Sequence, residues 1–398
     1  MKKSDLTLFL EINNFSLIFF VLKKNESNEI KIINELSLPV SGVEDNRISN
    51  FEKFYNIIKE NIYSIEQKLD YTFKEVVLIL ENFNPTFLNL SGYKTLNGSQ
   101  ILRENIIYIL NSLKSYVERN ESNKTILHIF NSSFFLDKKP VVNLPIGLFG
   151  NLYSHELSFS LISSNDYKNF ENIFSNLNLK IKKIFIKSFI KGANISNNSK
   201  NNETFLHIEM NSNNSKIFYF ENDSLKYEQY FNFGSEIILN DISKITLLKK
   251  ENINIILKNT NFNEEILENE LIEEKFFNQD KYRRIKKKLI YEIALARIKE
   301  LSEILIFKNI NLKGISSKQN TVFLEIENKL HFESLKDIFR KVFSANNSLE
   351  VNFLDTLSNE SMLHTANNLL QYGWRKEAIP VSQVKKSILA RFFEAIFN

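Results

Sequence analysis

Thr7–Lys23 and Thr204–Phe220 share one pattern of apolar and polar positions: an apolar run, an acidic residue, an Asn-rich turn and a second apolar run. Each reads as two strands joined by a short polar turn. Glu11 and Glu209 hold equivalent places, 198 residues apart, close to half the chain. That spacing suggests a duplicated fold, with coincidence between two common hairpins as the rival. Between them the pattern predicts a helix over 51–69, a buried strand over 74–80, an amphipathic helix over 99–117 and a strand over 124–130. A turn-rich connection over 134–151 and a strand over 155–162 follow. This middle block reads as a small inserted α+β unit. After the second hairpin, helices are expected at 235–248, 281–305, 332–343 and 361–372, with a strand at 321–325. The order suggests two layered α/β halves, each with an insertion.

The last stretch, Pro380–Asn398, has a different pattern. Read as a helix, it aligns Val384, Ile388, Phe392 and Ile396 on one stripe, widened by Leu389 and Phe393, with Phe397 beside it. Lys385, Lys386 and Arg391 lie at the margins or on the other face. An apolar stripe flanked by basic residues suits the interface of an anionic membrane. The segment is too short and too interrupted by charge to span a bilayer. Each basic residue near an anionic leaflet adds about 1 kcal/mol, so one tail is a weak anchor and an array a firm one. The alternative is a terminal helix docked on the body. Residues from about Trp374 to Val384 read as a short polar linker, with Trp374 and Tyr372 expected to pack against the body in preference to approaching the membrane interface.

Composition narrows the function. The 398 residues hold 35 Phe and 43% hydrophobic residues, enough for real cores, so the chain is not a disordered one. No cysteine is present, which excludes disulfides, thiolate zinc sites and cysteine nucleophiles. A formal charge of +4 gives no reason to invoke nucleic acid. The first residues resemble a signal peptide superficially, but Glu11, Asn13 and Asn14 interrupt the apolar run, and a cytoplasmic protein is expected. His128, His155, His207, His331 and His364 are scattered, without metal-ligand spacing. Glycine is scarce, at 9 residues, and nucleotide-binding loops usually need it.

These features together resemble the FtsA family, bacterial actin-like cell-division proteins. Leu10–Asn14 sits where the family has its first phosphate loop. Residues 36–51 resemble its second hairpin and glycine-containing turn. Residues 145–152 (PIGLFGNL) resemble the loop closing its inserted domain. Residues 208–218 and 234–242 (GSEIILNDI) resemble the second phosphate loop and the helix after it, and the tail resembles the membrane-targeting helix. The resemblance implies an α/β actin-like (sugar kinase/Hsp70/actin) duplicated fold, with an FtsA-type inserted α+β subdomain and a C-terminal amphipathic helix. The first-half core would be 1–81 plus 162–200, the insertion 82–161, and the second-half core 201–246 plus 311–375. The upper second-half subdomain would be 247–310, and linker and membrane helix 376–398. It also implies a role: tethering FtsZ filaments to the cytoplasmic face of the inner membrane at the division site, self-assembly into actin-like protofilaments, and recruitment of other division proteins. The acidic FtsZ tail would meet Arg283, Arg284, Lys286, Lys287 and Lys288 by charge complementarity. A solvated basic helix face is the alternative for those residues.

The family binds ATP and Mg2+ between its halves. Here the positions that match are Glu11, Asn13 and Asn14 in the first loop, and Glu209, Asn211, Ser212 and Asn213 in the second. Gly234, Ser235 and Asp241 match the next motif. Glu11 replaces an Asp, and glycines are missing from three loops, including the adenosine loop expected at 323–328, which reads FLEIEN. Glu325 and Glu327 add negative charge there, which opposes nucleotide binding unless a cation offsets it. Weak or absent ATP and Mg2+ binding is expected, and no catalytic residue is assigned. The alternatives are an actin-like scaffold of a type IV pilus or secretion apparatus, or an active ATP-dependent sugar-kinase-like enzyme.

Overall fold

The computed structural model describes residues 6–13, 15–24, 30–198, 203–260, 262, 269–278, 281–312, 321–327, 332–344 and 349–378. The tail and its ten expected membrane-facing residues lie outside the described residues, as does Asn14.

The first half opens with three strands, β1 (Leu6–Ile12), β2 (Ser16–Lys24) and β3 (Ile30–Pro39), and a small hairpin of β4 (Val43–Glu44) and β5 (Arg47–Ile48). Gly42 precedes that hairpin at φ +86°, where a Cβ would strike the Asn50 carbonyl at 2.4 Å. Helix α1 (Phe51–Leu69) starts on Asn50, whose Oδ1 accepts the Lys53 amide at 3.0 Å. It buries Phe54, Ile58, Ile62 and Ile65 and stops at Asp70 in the left-handed region. Strand β6 (Glu75–Leu80) follows. Then come β7 (Thr86–Thr95), α2 (Arg103–Asn120), β8 (Lys124–Leu136), β9 (Lys139–Val141) and β10 (Leu152–Ser163), and after them α3 (Ser164–Asn176), β11 (Lys180–Ile186) and α4 (Lys187–Asn198).

The second half carries β12 (Phe205–Met210), β13 (Ser215–Glu221), β14 (Ser224–Phe231), α5 (Glu236–Thr246), α6 (Lys250–Asn259) and α7 (Lys287–Ser302). Strand β15 (Thr321–Ile326), α8 (Lys336–Phe343), β16 (Glu350–Leu354) and α9 (Asn359–Tyr372) complete it.

The sheets show the duplication directly. One has the order β3-β2-β1-β6-β11, the other β14-β13-β12-β15-β16. In each, three strands form an antiparallel meander and two more add in parallel beside the first strand. Coincidence does not produce two sheets of identical order and sense. Glu11 and Glu209 are each the penultimate residue of the first strand of their half. Residues 86–163 form a separate sheet, β7-β10-β8-β9, with α2 packed on one face. A Cβ on Gly92 of β7 would meet Ile109 of α2 at 2.5 Å, so glycine permits that close approach.

One apolar core joins the halves. Phe9, Phe20, Val77, Phe185 and Phe189 from the first pack with Phe205, Phe218, Phe220, Phe323 and Leu363 from the second. Helix α4 lies in this seam, and a Cβ on Gly192 would fall 2.0 Å from the Phe220 ring.

Several sequence expectations shift. The 99–117 helix begins only at Arg103, because Gln100 bridges Phe149 and the Ile101 amide donates to the Leu148 carbonyl. The 134–151 connection contains the end of β8 and all of β9. The long basic helix from Lys281 starts only at Lys287; Lys286 pairs instead with Leu271 as an extended bridge, and the helix ends in a π-turn over Glu303–Phe307. The linker expected from Trp374 does not begin there. Trp374 and Ala378 are buried, and Glu377 bridges Phe130 of β8.

Candidate functional site

The two hairpin ends and α4 build one buried charge network. Lys187 and Lys191 lie one helical turn apart on α4, so both face the same side. Lys187 Nζ donates to Glu11 Oε1 at 2.7 Å and to Glu81 Oε2 at 2.8 Å. Lys191 Nζ stands 3.0 Å from Glu209 and 3.4 Å from Glu325. On β13, Lys216 lies 3.3 Å from Glu228, whose other oxygen accepts the Ser188 hydroxyl at 2.5 Å. One helix of the first half thus neutralises the equivalent glutamate of both halves.

The ionisation of these groups follows from that arrangement. Burial alone would lower the Lys187 ammonium, but Glu81 and Glu11 outweigh it and hold it above the ordinary lysine value. Lys191 is raised in the same way by Glu209 and Glu325 against its own desolvation. Burial would raise Glu209, yet Lys191, Lys216 and His207 keep it below the usual carboxylate range. Glu325 is held at about 2: desolvation opposes this, and His207 and Lys191 override it. Glu81 of the first half is lowered by Lys187 and by Lys216 of the second against burial, so the network is continuous across the seam.

His207, Glu209 and Glu325 each present a ligand atom within 4.8 Å of the others. This grouping is invisible in the spacing of the five histidines. The two carboxylates already share the Lys191 ammonium, so an internal cation serves them.

Polar groups of both loops are engaged by protein groups as well. In the first, Asn13 Oδ1 accepts the Phe15 amide at 2.8 Å and the Ser16 amide at 2.7 Å, while the Asn13 amide donates to the Ser16 carbonyl. In the second, the Asn211 amide donates to the Asn214 carbonyl, and Asn211 Nδ2 to Asn214 Oδ1 at 2.8 Å. The Ser212 amide and hydroxyl donate to Glu327 Oε2 at 2.7 and 3.0 Å. A carboxylate therefore sits on a loop amide of the kind that would meet an anion. Asn213 is exposed at the tip of this turn.

Gly234 packs against this loop so closely that a Cβ would fall 2.0 Å from the Asn211 carbonyl. The Ser235 and Glu236 amides, at the start of α5, donate to the Asn211 and Ser212 carbonyls at 2.9 Å each. Asp241 Oδ2 accepts from Arg297 Nε, tying α5 to α7. The group that sequence reading missed is the pair Lys187 and Lys191. Its available signal was two lysines four apart around the apolar, glycine-containing run SFIKGA.

The expected partner-binding residues are split. Arg283 Nη2 donates to the Leu247 carbonyl at 2.7 Å, closing the end of α5, and Lys287 pairs with Glu270 at 3.0 Å. Arg284 and Lys286 are exposed, and Lys288 is half-buried. Apolar Ile245, Leu247, Tyr282 and Leu289 are exposed in the same two segments.

No family model matches the chain. It is 21% identical over 251 residues to the cell division protein FtsA of Buchnera aphidicola, which covers 63% of this chain and 60% of that protein. The chain thus spans less than two thirds of the length of that curated relative. In architecture it is similar to the solved PilM-PilN type IV pilus biogenesis complex, with a TM-score of 0.50 at 10% identity, covering 92% of this chain and 95% of the other. Sequence and architecture together support a divergent FtsA-like protein built on the actin-like ATPase fold.

Proposed function

We propose that this protein is an actin-like adaptor of the cell-division machinery that works as a scaffold and not as an ATP-driven enzyme. The observation that carries the reading is the sealed seam. Ammonium groups serve the carboxylates that a metal ion would otherwise meet, and Glu327 and Asn13 engage loop amides that a phosphate would need. Binding Mg-ATP must first break these contacts, so weak or absent binding is expected. Calorimetry that returned a low-micromolar dissociation constant would refute this part.

In this reading 1–81 plus 162–200 and 201–246 plus 311–375 are the two core subdomains, 82–161 is the family insertion, and 247–310 receives the acidic tail of FtsZ. Exposed Arg284 and Lys286 beside Leu247, Tyr282 and Leu289 suit a short acidic peptide with apolar anchors. The tail holds the protein on anionic lipid at the cytoplasmic face of the membrane. No described helix is long and apolar enough to cross one. Self-assembly and other division proteins complete the set of partners.

Co-sedimentation with anionic liposomes tests the tether. Full-length protein, a version ending at Pro380 and Phe392→Asp/Ile396→Asp are compared, each with and without FtsZ. Only the intact tail should pellet and bring FtsZ with it. If all three behave alike, the tether fails and a pilus-type scaffold, held by a membrane partner, becomes the better reading.

A further inference from the structure

The chain between α9 and the tail is bound at every residue from Trp374 to Ala378, and its partners come from three different parts of the fold. The Trp374 indole donates to the Asp223 carbonyl at 2.7 Å and meets Phe189 of α4 edge-on at 6.1 Å. Arg375 forms a two-pronged pair with the Asp223 carboxylate at 2.6 and 2.7 Å and donates to Ser196 of α4 at 2.7 Å. Asp223 sits in the β13–β14 turn, so these contacts reach the second half. The next three residues add a short strand to the edge of β8. The Asn131 amide donates to the Lys376 carbonyl at 2.6 Å, and the Ala378 amide to the Ile129 carbonyl at 2.7 Å. Between them, Glu377 lies 3.0 Å from His128 of β8 and 2.6 Å from Lys183 of β11, in the first half.

Five consecutive residues therefore join the second half, the inserted sheet and the first half. Other polar ties between the inserted sheet and the second half run through Asn222, Ser224 and Asn89. Asn222 Nδ2 donates to the Ser132 carbonyl and Ser133 hydroxyl at 3.3 and 3.2 Å, the Ser224 hydroxyl to the Asn131 carbonyl at 3.4 Å, and Asn89 Nδ2 to the Lys226 carbonyl at 3.3 Å. These are long, uncharged bonds beside the charged, two-pronged ones of the strap. The described chain ends at Ala378, at a cleft of about 430 Å3 between α2, β8 and Lys183.

We propose that residues 374–378 are a latch that fixes the inserted sheet against both halves, and that load on the chain beyond Ala378 acts first on this latch. The second clause rests on the tether reading; the first does not. A strand peeled from its end loses one pair of bonds at a time. Tension from a membrane-held tail therefore reaches Ala378 and Glu377 before any other described contact of the body. Release of the Glu377 and Lys376 bonds frees the edge of β8, and the polar ties of the inserted sheet to the second half are then the weaker ones at Asn222, Ser224 and Asn89.

The absence of cysteine makes the test direct. Ser115→Cys on α2 and Lys299→Cys on α7, both exposed in the native chain, carry spin labels, and the distance distribution between them is recorded in the full chain with and without Arg375→Ala/Glu377→Gln. Hydrogen exchange is followed in parallel. The latch predicts a shifted or broadened distribution and exchange ~10- to 100-fold faster across β8 and β10, with β12 and β13 unchanged. An unchanged distribution, with faster exchange only at Asn131 and Ala378, overturns it. If the double variant does not fold, Glu377→Gln alone is read by the same two measurements. Vesicles with anionic lipid then test load on the unsubstituted strap. A shift in the same direction supports it, while pelleting without a shift overturns it. Failure to pellet removes the tether reading and the load clause together, and the latch still stands or falls on the variants.

Discussion

The hairpin ends of the two halves start from one geometry and reach neutrality by different routes. In the first, Glu11 shares Lys187 with Glu81, and the turn closes on its own Asn13 side chain. In the second, Glu209 shares Lys191 with Glu325, His207 lies beside both carboxylates, and the turn is closed from outside by Glu327 and by the start of α5. Duplication preserved the strand order and the glutamate. It did not preserve the partners, because one helix, α4, supplies the lysine to both halves, while the second carboxylate comes from just after β6 in the first and from within β15 in the second. The contrast places the second hairpin deeper in the charge network, and its lysine is the less exposed: the side chain of Lys191 is 10% accessible, that of Lys187 18%.

Substituting either lysine is the strongest way to break the comparison. Removing one partner from a buried ion pair costs about 3–5 kcal/mol. Lys191→Met should lie at the upper end and Lys187→Met at the lower, read by urea unfolding. Lys191→Met should also gain stability from added Zn2+, because His207, Glu209 and Glu325 then lose their internal cation. The unsubstituted chain should show no such gain. Equal losses in the two variants would mean that the halves are energetically equivalent.

Acid titration sharpens the comparison from outside the seam. His155 of β10 is fully buried, neither of its ring nitrogens has a partner, and burial lowers it to about 4. An unfolded histidine takes up its proton near 6.5, so the unfolded state binds more protons between 6.5 and 4. Stability must then fall as pH drops through that window, by about 3 kcal/mol in all. His128 is lowered as well, chiefly by burial and against the pull of Glu377, and acts in the same direction. The lowered carboxylates of the seam contribute their stability above the ordinary Glu value and lose it only at more acidic pH. His155→Phe should therefore flatten the limb below pH 6.5 and leave the later, seam-dependent loss in place. A limb unaltered by His155→Phe would place the early loss elsewhere.

The loops give the smallest effects. Asn13→Ala removes two hydrogen bonds to backbone amides and should cost about 1 kcal/mol. Glu327→Gln, at an exposed site, should barely change the melting temperature. Neither change alone should bring Mg-ATP binding into the low-micromolar range, because each leaves the other loop and both lysines in place. Strong binding by Glu327→Gln would show that a single carboxylate closes the site.

The legible parts of the fold were those with a clean period. The paired hairpins, α1 with its buried Phe54, Ile58, Ile62 and Ile65, and β6 all follow from alternation or helical spacing. Helix α4 gave no such signal. It is buried on nearly all sides, from Ser188 through Ala193 and at Ile195 and Ser196, so no polar stripe marks it. Nothing local marks its two lysines as the cations of the site. Apart from Trp374, which packs as expected, the strap was read as a linker for a similar reason. Trp374–Ala378 is polar and short, and only partners more than a hundred residues away make it part of the body.

By itself the sequence determined the paired hairpins, the scarcity of glycine in the loops and the apolar faces, since each is set by local steric and solvation rules, while the matching sheet order decided the duplication. Tertiary structure alone decided where the charges go. A buried ammonium or carboxylate is tolerable only beside its counter-ion, and which residues meet depends on how α4 crosses the seam between the two sheets.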